Sequence, residues 1–340
     1  MYPFTRPWRL LVVCLICLAP SARAQEIWFA PMQDSVTPSG VTFAGHDFPA
    51  MVASMEGWRQ AAQHMTAIEL NTKHIVETYP DLAAVVRMVN AFGRKVIGGG
   101  SVLFSNGECK SNEGMNGDHD FEHENALTLR AWHEKGGRLD ILSMDGPFFF
   151  GLYAAPDCHF TIREIARRAA ATVNQILQYY PDLEILDVEG PGPVPVPKFL
   201  AEYEVFLREF NAQSRRPITR MSLDMHWIDA WHTGYRWVDA TRRIAAFAHE
   251  HGLKVGLLLD AEDDTVQSAD GSVITKEKVT LGSWMQMVRE HMALARRERL
   301  PLDHVEIVSW MKFPQKNLPE SDPDAFASLV GEAWRVFHAP

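Results

Sequence analysis

Short apolar runs rich in β-branched residues recur along the chain at 27–31, 67–71, 95–99, 139–144, 183–188, 218–223, 254–259 and 304–309. Between them lie segments of helical length, such as 160–180, 197–211, 239–251 and 281–297, whose apolar residues return at helical spacing. Strand alternating with amphipathic helix predicts a parallel sheet with right-handed crossovers. Eight such units in one chain predict a closed (β/α)8 barrel; an open doubly wound sheet uses fewer strands and a Gly-rich phosphate turn. Gly98-Gly99-Gly100 lacks the G-x-G-x-x-G spacing and reads as close backbone packing, not as a nucleotide site. Gly136-Gly137 and Gly252 stand where helices must stop before tight turns into the next strand. No Pro- or Ser-rich linker divides residues 25–340, so they are expected to form one domain.

The N-terminus follows a different pattern. Arg6 and Arg9 precede the apolar stretch 10–19, which ends at Pro20, and Ala22-Arg23-Ala24 offers small residues where a signal peptidase reads. The stretch is too short to span a bilayer, so residues 1–24 are expected to be a signal peptide cleaved before Gln25, leaving a secreted or periplasmic protein with no membrane insertion. Cys14 and Cys17 would leave with it. Cys109 and Cys158 remain, in the loops after the third and fourth strands, and in an oxidising compartment they are expected to form a disulfide. The leader carries three arginines and no acid, so its loss deepens the formal net charge from −10 to −13. Such acidity argues against nucleic acid as a partner, because phosphate binding needs a basic footprint.

The segments after the strands, 32–49, 100–121, 145–159, 189–196, 224–238 and 260–279, hold most of the Gly, Pro, Asn and Asp. In a barrel these loops gather at the C-terminal face, where active sites are built. Strand side chains alternate between lumen and helix layer, and polar residues share a parity at the strand ends: Glu69, Asn71 and Lys73; Ser143 and Asp145; Asp187 and Glu189; Ser222, Asp224 and His226; Asp260 and Glu262. The opposite parity is apolar, so these residues are expected to line a polar mouth. A single Asp or Asn at such a junction also caps the following helix well. Carboxylates at four neighbouring strand ends raise one another's proton affinity, a cost that a substrate would justify. Aromatic rings crowd the same loops, with Trp227, Trp231, Tyr235 and Trp237 after the sixth strand and Trp310 after the eighth. Phe148, Phe149 and Phe150 read instead as buried loop packing.

With Ser143-Met144-Asp145-Gly146-Pro147, Asp187-Val188-Glu189-Gly190-Pro191, Ser222-Leu223-Asp224-Met225-His226-Trp227 and Ser309-Trp310, the chain resembles the TIM-barrel glycoside hydrolases over its whole length after residue 24. The Asn-Glu pair that marks the largest clan of these enzymes is missing from the fourth strand, as is the D-x-x-D-x-D-x-E of chitinase-like barrels. The resemblance implies cleavage of a glycosidic bond in an oligo- or polysaccharide, without a cofactor or metal, by one protonated and one ionised carboxyl group. The expected catalytic set is Asp145 as nucleophile or base with Glu189 or Asp224 as acid. Substrate contacts fall to Asn71, Lys73, Asp187, His226, Trp227, Asp260, Glu262 and Trp310, the rings as platforms for flat sugar faces. Two alternatives stay open: a metal-dependent barrel acting on sugars, such as an isomerase or deacetylase, and a non-catalytic sugar-binding barrel. His119-Asp120-Phe121-Glu122-His123 matches the H-x-x-E-H zinc spacing, but acids there also suit a helix N-terminus.

Overall fold

A computed structural model of the protein describes residues 25–33, 35–36, 42–43, 45–100, 121–154, 160–192, 194–225, 237–261, 265–267, 273–275, 280–309 and 312–338. Eight parallel strands close into a barrel: β1 (Glu26–Phe29), β2 (Ala67–Leu70), β3 (Lys95–Gly100), β4 (Ile141–Asp145), β5 (Glu184–Glu189), β6 (Ile218–Leu223), β7 (Lys254–Leu259) and β8 (His304–Ile307). Neighbours around the ring are neighbours in sequence, and β1 completes it by pairing with both β2 and β8. The eight apolar runs are therefore the eight strands, in order.

Helices α1 (Leu82–Phe92), α2 (Phe121–Glu134), α3 (Ile162–Ile176), α4 (Val196–Gln213), α5 (Trp237–Glu250), α6 (Leu281–Arg297) and α7 (Ser328–His338) follow β2 to β8 in turn, and the shorter Phe48–Ala53 and Arg59–His64 follow β1. Their ends are written in the sequence. Asp81 accepts from the Ala84 N–H at 2.9 Å to start α1, and Thr280 and Ser283 form a reciprocal capping box at α6. Gly136 and Gly252, at φ of 81° and 76°, turn the chain from α2 and α5 into the next strand, a conformation that suits glycine. Among the described residues no helix is long and apolar enough to cross a membrane. Residues 1–24 and both Cys109 and Cys158 lie outside the described residues.

Alternation along the strands sorts side chains into two layers. Outward residues such as Phe29, Ile68, Val96, Met144, Ile185, Met221, Leu257 and Ile307 pack beneath the helices in the main core. Inward residues Trp28, Ala67, Ile97, Ile141, Leu186, Val188, Leu258 and Val308 form a separate apolar cluster inside the lumen. Gly99 explains the triple glycine: a Cβ there would lie 1.9 Å from the Ser143 carbonyl oxygen, so the segment is close backbone packing.

The N-terminal end of the lumen is charged. Arg220, fully buried, donates from Nε to Glu184 at 2.6 Å and from both terminal nitrogens to Glu26 at 3.3 Å, while Lys95 pairs with Glu184 and Lys254 with Glu26. Burial would raise both carboxyls, but the cations and their hydrogen bonds outweigh it and hold Glu26 and Glu184 below the ordinary range. Above this floor the guanidinium lies 5.2 Å from the centre of the Trp28 ring, and Trp28 stacks on His304 at 3.8 Å. His304 shares a 2.8 Å hydrogen bond with Ser222, and burial together with Arg220 and Lys254 keeps its imidazole neutral. Gly256 makes room for that ring, since a Cβ would sit 2.0 Å from His304 Nε2.

Candidate active site

The opposite, C-terminal end of the lumen is acidic. Asp145 is the last residue of β4, on the inward parity of Ile141 and Ser143. The chain then turns at Gly146, whose N–H donates to the Val188 carbonyl at 2.9 Å, and Pro147 opens a short helix, Pro147–Phe149, that continues into one π-turn, Phe150–Ala154. Burial and the nearby charge of Glu69 push Asp145 up to about 6. Phe148 is fully buried behind this turn against Phe199, Tyr203 and Phe206, so it is packing, as its sequence context suggested.

The parity expected for β5 is reversed. Leu186 and Val188 face the lumen, and Asp187 and Glu189 face the helices. Asp187 accepts from the Tyr203 hydroxyl of α4 at 2.8 Å, leaving its other oxygen without a donor. Glu189 accepts from the N–H groups of Phe148 at 2.7 Å and Phe149 at 3.0 Å, the free amides at the start of the helical turn that follows Asp145. Burial raises Asp187 to about 7 against the lowering effect of Tyr203. Burial, then Asp187, raise Glu189 well above the ordinary range despite its two N–H donors, with Asp145 adding to the rise. The physical reason for the reversal is that these acids find polar partners on the helix side, a hydroxyl and a helix start, whereas the lumen beside β5 is apolar. Glu189 therefore holds the turn that carries Asp145 from behind, and does not stand beside it in the mouth.

Asp224, just beyond β6, is half-buried and its N–H donates to the Glu189 carbonyl at 3.0 Å. Asp260, just beyond β7, is buried, and its carbonyl oxygen is 2.9 Å from Nδ1 of His291, a ring that burial pushes down to about 4. Asn71 departs from expectation: β2 ends at Leu70, and the Asn71 side chain accepts from the His74 N–H at 3.0 Å as the cap of helix Thr72–Thr78, which also contains Lys73. A strand parity does not extend into a helix that starts at the next residue. His226, Trp227, Glu262 and Trp310 lie outside the described residues, as do His119 and Asp120 of the H-x-x-E-H motif, whose last three residues open α2.

One acid of the mouth is absent from the sequence-based set. Glu306 lies inward on β8, 1% exposed, paired in register with Trp28 and Leu258. Its carboxyl meets that of Glu69, and their proximity with burial raises Glu306 well above the ordinary range. Neither Glu306 oxygen has a donor. The signal was present in the run His304-Val305-Glu306-Ile307-Val308, where two polar residues share the parity of one face of an otherwise apolar strand. Among the described residues no three His, Cys, Asp or Glu side chains are grouped to hold a metal ion. Chemically, the mouth offers Asp145 and Glu306, two carboxyl groups whose proton affinity is raised by burial and by the neighbouring Glu69.

No family model matches the sequence, and no curated protein matches it. Solved structures do match. The fold is similar to xylanase XynB from Paenibacillus barcinonensis, solved with a conduramine derivative, at 12% identity over 93% of this chain and 96% of that one, with a TM-score of 0.51. The catalytic core of xylanase A aligns at 13% identity over 92% of this chain and 97% of its own, with a TM-score of 0.50. At these identities the likeness is one of fold, and with the closed ring of eight parallel strands it makes the chain a single-domain (β/α)8 TIM barrel.

Proposed function

We propose that the protein is an exported glycoside hydrolase that cleaves an oligo- or polysaccharide at the C-terminal mouth of the barrel. The observation that carries the reading is the convergence of inward carboxyl groups on that mouth, with Asp145 close enough to Glu69 to be raised by its charge. Glycosidic hydrolysis needs one carboxyl ionised and one protonated, and acids that repel one another in a partly buried site supply both at a single pH. Asp145 is assigned as base or nucleophile, since at neutral pH a group near 6 is mostly ionised yet still basic. Asp224 and Asp260, just beyond the ends of β6 and β7, are assigned to the same mouth, and the aromatic loops that carry Trp227 and Trp310 to sugar stacking. Xylanase is the name both similar structures carry, and it supports a polysaccharide as the substrate class. Glu189 keeps a role here through the turn it holds.

The test is turnover of a panel containing xylan, cellulose, mannan and mixed-linkage glucan by the purified protein and by Asp145→Asn. The amide keeps the shape and removes ionisation, so turnover should fall by about 10²–10⁴-fold with little change in sugar affinity. A native protein that binds a panel sugar without cleaving it, or an Asp145→Asn variant of native activity, overturns the reading. Export predicts that the mature chain begins at Gln25 and that Cys109 and Cys158 present no free thiol after unfolding.

A further inference from the structure

A carboxyl group whose two oxygens meet no donor, inside a barrel and 1% exposed, demands a physical account, because burying an unpaired carboxylate is among the most expensive arrangements a fold can make. Glu306 escapes that cost if it is protonated. A neutral carboxyl is itself a donor, and the acceptor within reach is Glu69 on β2. The two strands lie on either side of β1, whose inward residue between them is Trp28, paired with both Glu306 and Ala67. Glu69 is only half-buried and reaches solvent; Glu306 does not. A proton placed on this pair is thus held between one carboxyl that touches the mouth and one that is hidden behind it.

We propose that Glu69 is the proton donor of the active site and that Glu306, buried behind it, is the positioning residue that shares a proton with it. The inference rests on the glycoside hydrolase reading and names the acid that it leaves open. Like charges sharing one proton release it only at higher pH than either would alone, because the second ionisation makes a buried dianion. The other titratable groups around Glu306 do not supply a counter-charge. His304, two residues earlier on the same strand, is neutral; Asp145 across the lumen and Asp260 on the adjacent β7 are acids; Arg220 and Lys254 are engaged with Glu26 and Glu184 on the floor.

With Asp145 as base the proton inventory closes. The shared proton passes from Glu69 to the glycosidic oxygen as the bond from that oxygen to the anomeric carbon breaks, and the bonding electrons stay with the departing oxygen. Water attacks the anomeric carbon and gives its proton to Asp145. Asp145 then returns that proton to solvent and the Glu69–Glu306 pair takes one back, so the net change is the addition of one water.

Three measurements test this. Glu69→Gln should lower kcat on the polysaccharide by about 10²–10⁴-fold, yet change turnover of the matching dinitrophenyl glycoside by less than about tenfold, since that leaving group needs no protonation. Equal losses on both substrates, or none on the polysaccharide, overturn the assignment. Glu306→Gln leaves Glu69 beside a neutral amide that donates to its carboxylate, so the alkaline limb of the kcat–pH profile should move down by about one unit or more with KM nearly unchanged, and Glu306→Asp should restore part of the shift. An unmoved limb overturns the role of Glu306. Infrared difference spectroscopy at pH 7 gives a readout independent of activity: the protonated-carboxyl absorption of the native protein should lose one component in Glu306→Gln, the remainder belonging to Asp187 and Glu189, and an unchanged band in that variant counts against the pair. Loss of both substrates in Asp145→Asn alongside normal behaviour of Glu69→Gln would sink this assignment while leaving the hydrolase reading standing.

Discussion

The two ends of the barrel lumen are built on the same eight strands and the same inward parity, yet they treat charge in opposite ways. At the N-terminal floor Glu26 and Glu184 are matched by Arg220, Lys95 and Lys254, and the network holds both carboxyls below their ordinary range. At the C-terminal mouth the charges that act on Asp145 and Glu306 come from another acid, Glu69, and both are raised. Burial opposes ionisation at both ends; what differs is whether a counter-charge has been supplied. A fold that matches charge at one end and sets acid against acid at Asp145 and Glu306 at the other gives up stability there.

The largest expected effect belongs to the floor. Arg220→Met leaves Glu26 and Glu184 with only Lys254 and Lys95 and should cost about 2–4 kcal/mol in urea unfolding at pH 7, somewhat below the scale of breaking a fully buried pair from one side. A loss below about 1 kcal/mol would mean that the guanidinium does not offset the charge of the floor acids. Gly256→Ala, which forces a methyl against the His304 ring, should cost about 1–3 kcal/mol, and His304→Ala should relieve much of that penalty in the double variant. At the mouth the sign reverses. Asp145→Asn removes a charge the fold disfavours and should stabilise by about 1–2 kcal/mol at pH 8, given about 1.4 kcal/mol per pKa unit and some solvent screening, while the proposed turnover should fall by about 10²–10⁴-fold.

The pH dependence separates the ends further. Glu26 and Glu184 are lowered on folding, so their contribution is present above their unfolded values near 4.3 and is lost as pH falls through the folded ones. Asp145 is raised to about 6, so its cost is absent below its unfolded value near 3.9 and complete above the folded one. The advantage of Asp145→Asn over the native chain should therefore grow between about pH 4 and 7, whereas the deficit of Arg220→Met should shrink as the floor acids protonate below about pH 4.

Most of the architecture was legible because periodicity and helix-stop signals are local. The strands beginning at Glu26, Ala67, Lys95 and their successors announce themselves by apolar content, and Gly136 and Gly252 mark helix ends through backbone geometry alone. The side a strand presents is not local. For β5 both parities are buried, so polarity cannot say which faces the lumen; that was settled by Tyr203 on α4 and by the amides of Phe148 and Phe149, partners distant in sequence. Asn71 was misplaced by a strand that stops one residue earlier than its apolar run suggests. Glu306 was overlooked because a single acid among Val and Ile reads as noise until its neighbour across β1 is known. Asp145, inward and at a strand end, was identified correctly in position because its own strand alternates cleanly.

Trp28, His304 and Arg220, all fully buried and stacked on one another, fill the lumen between the floor and the mouth. On the proposed reading a sugar chain therefore meets the acids from the rim, and its products leave on the same side.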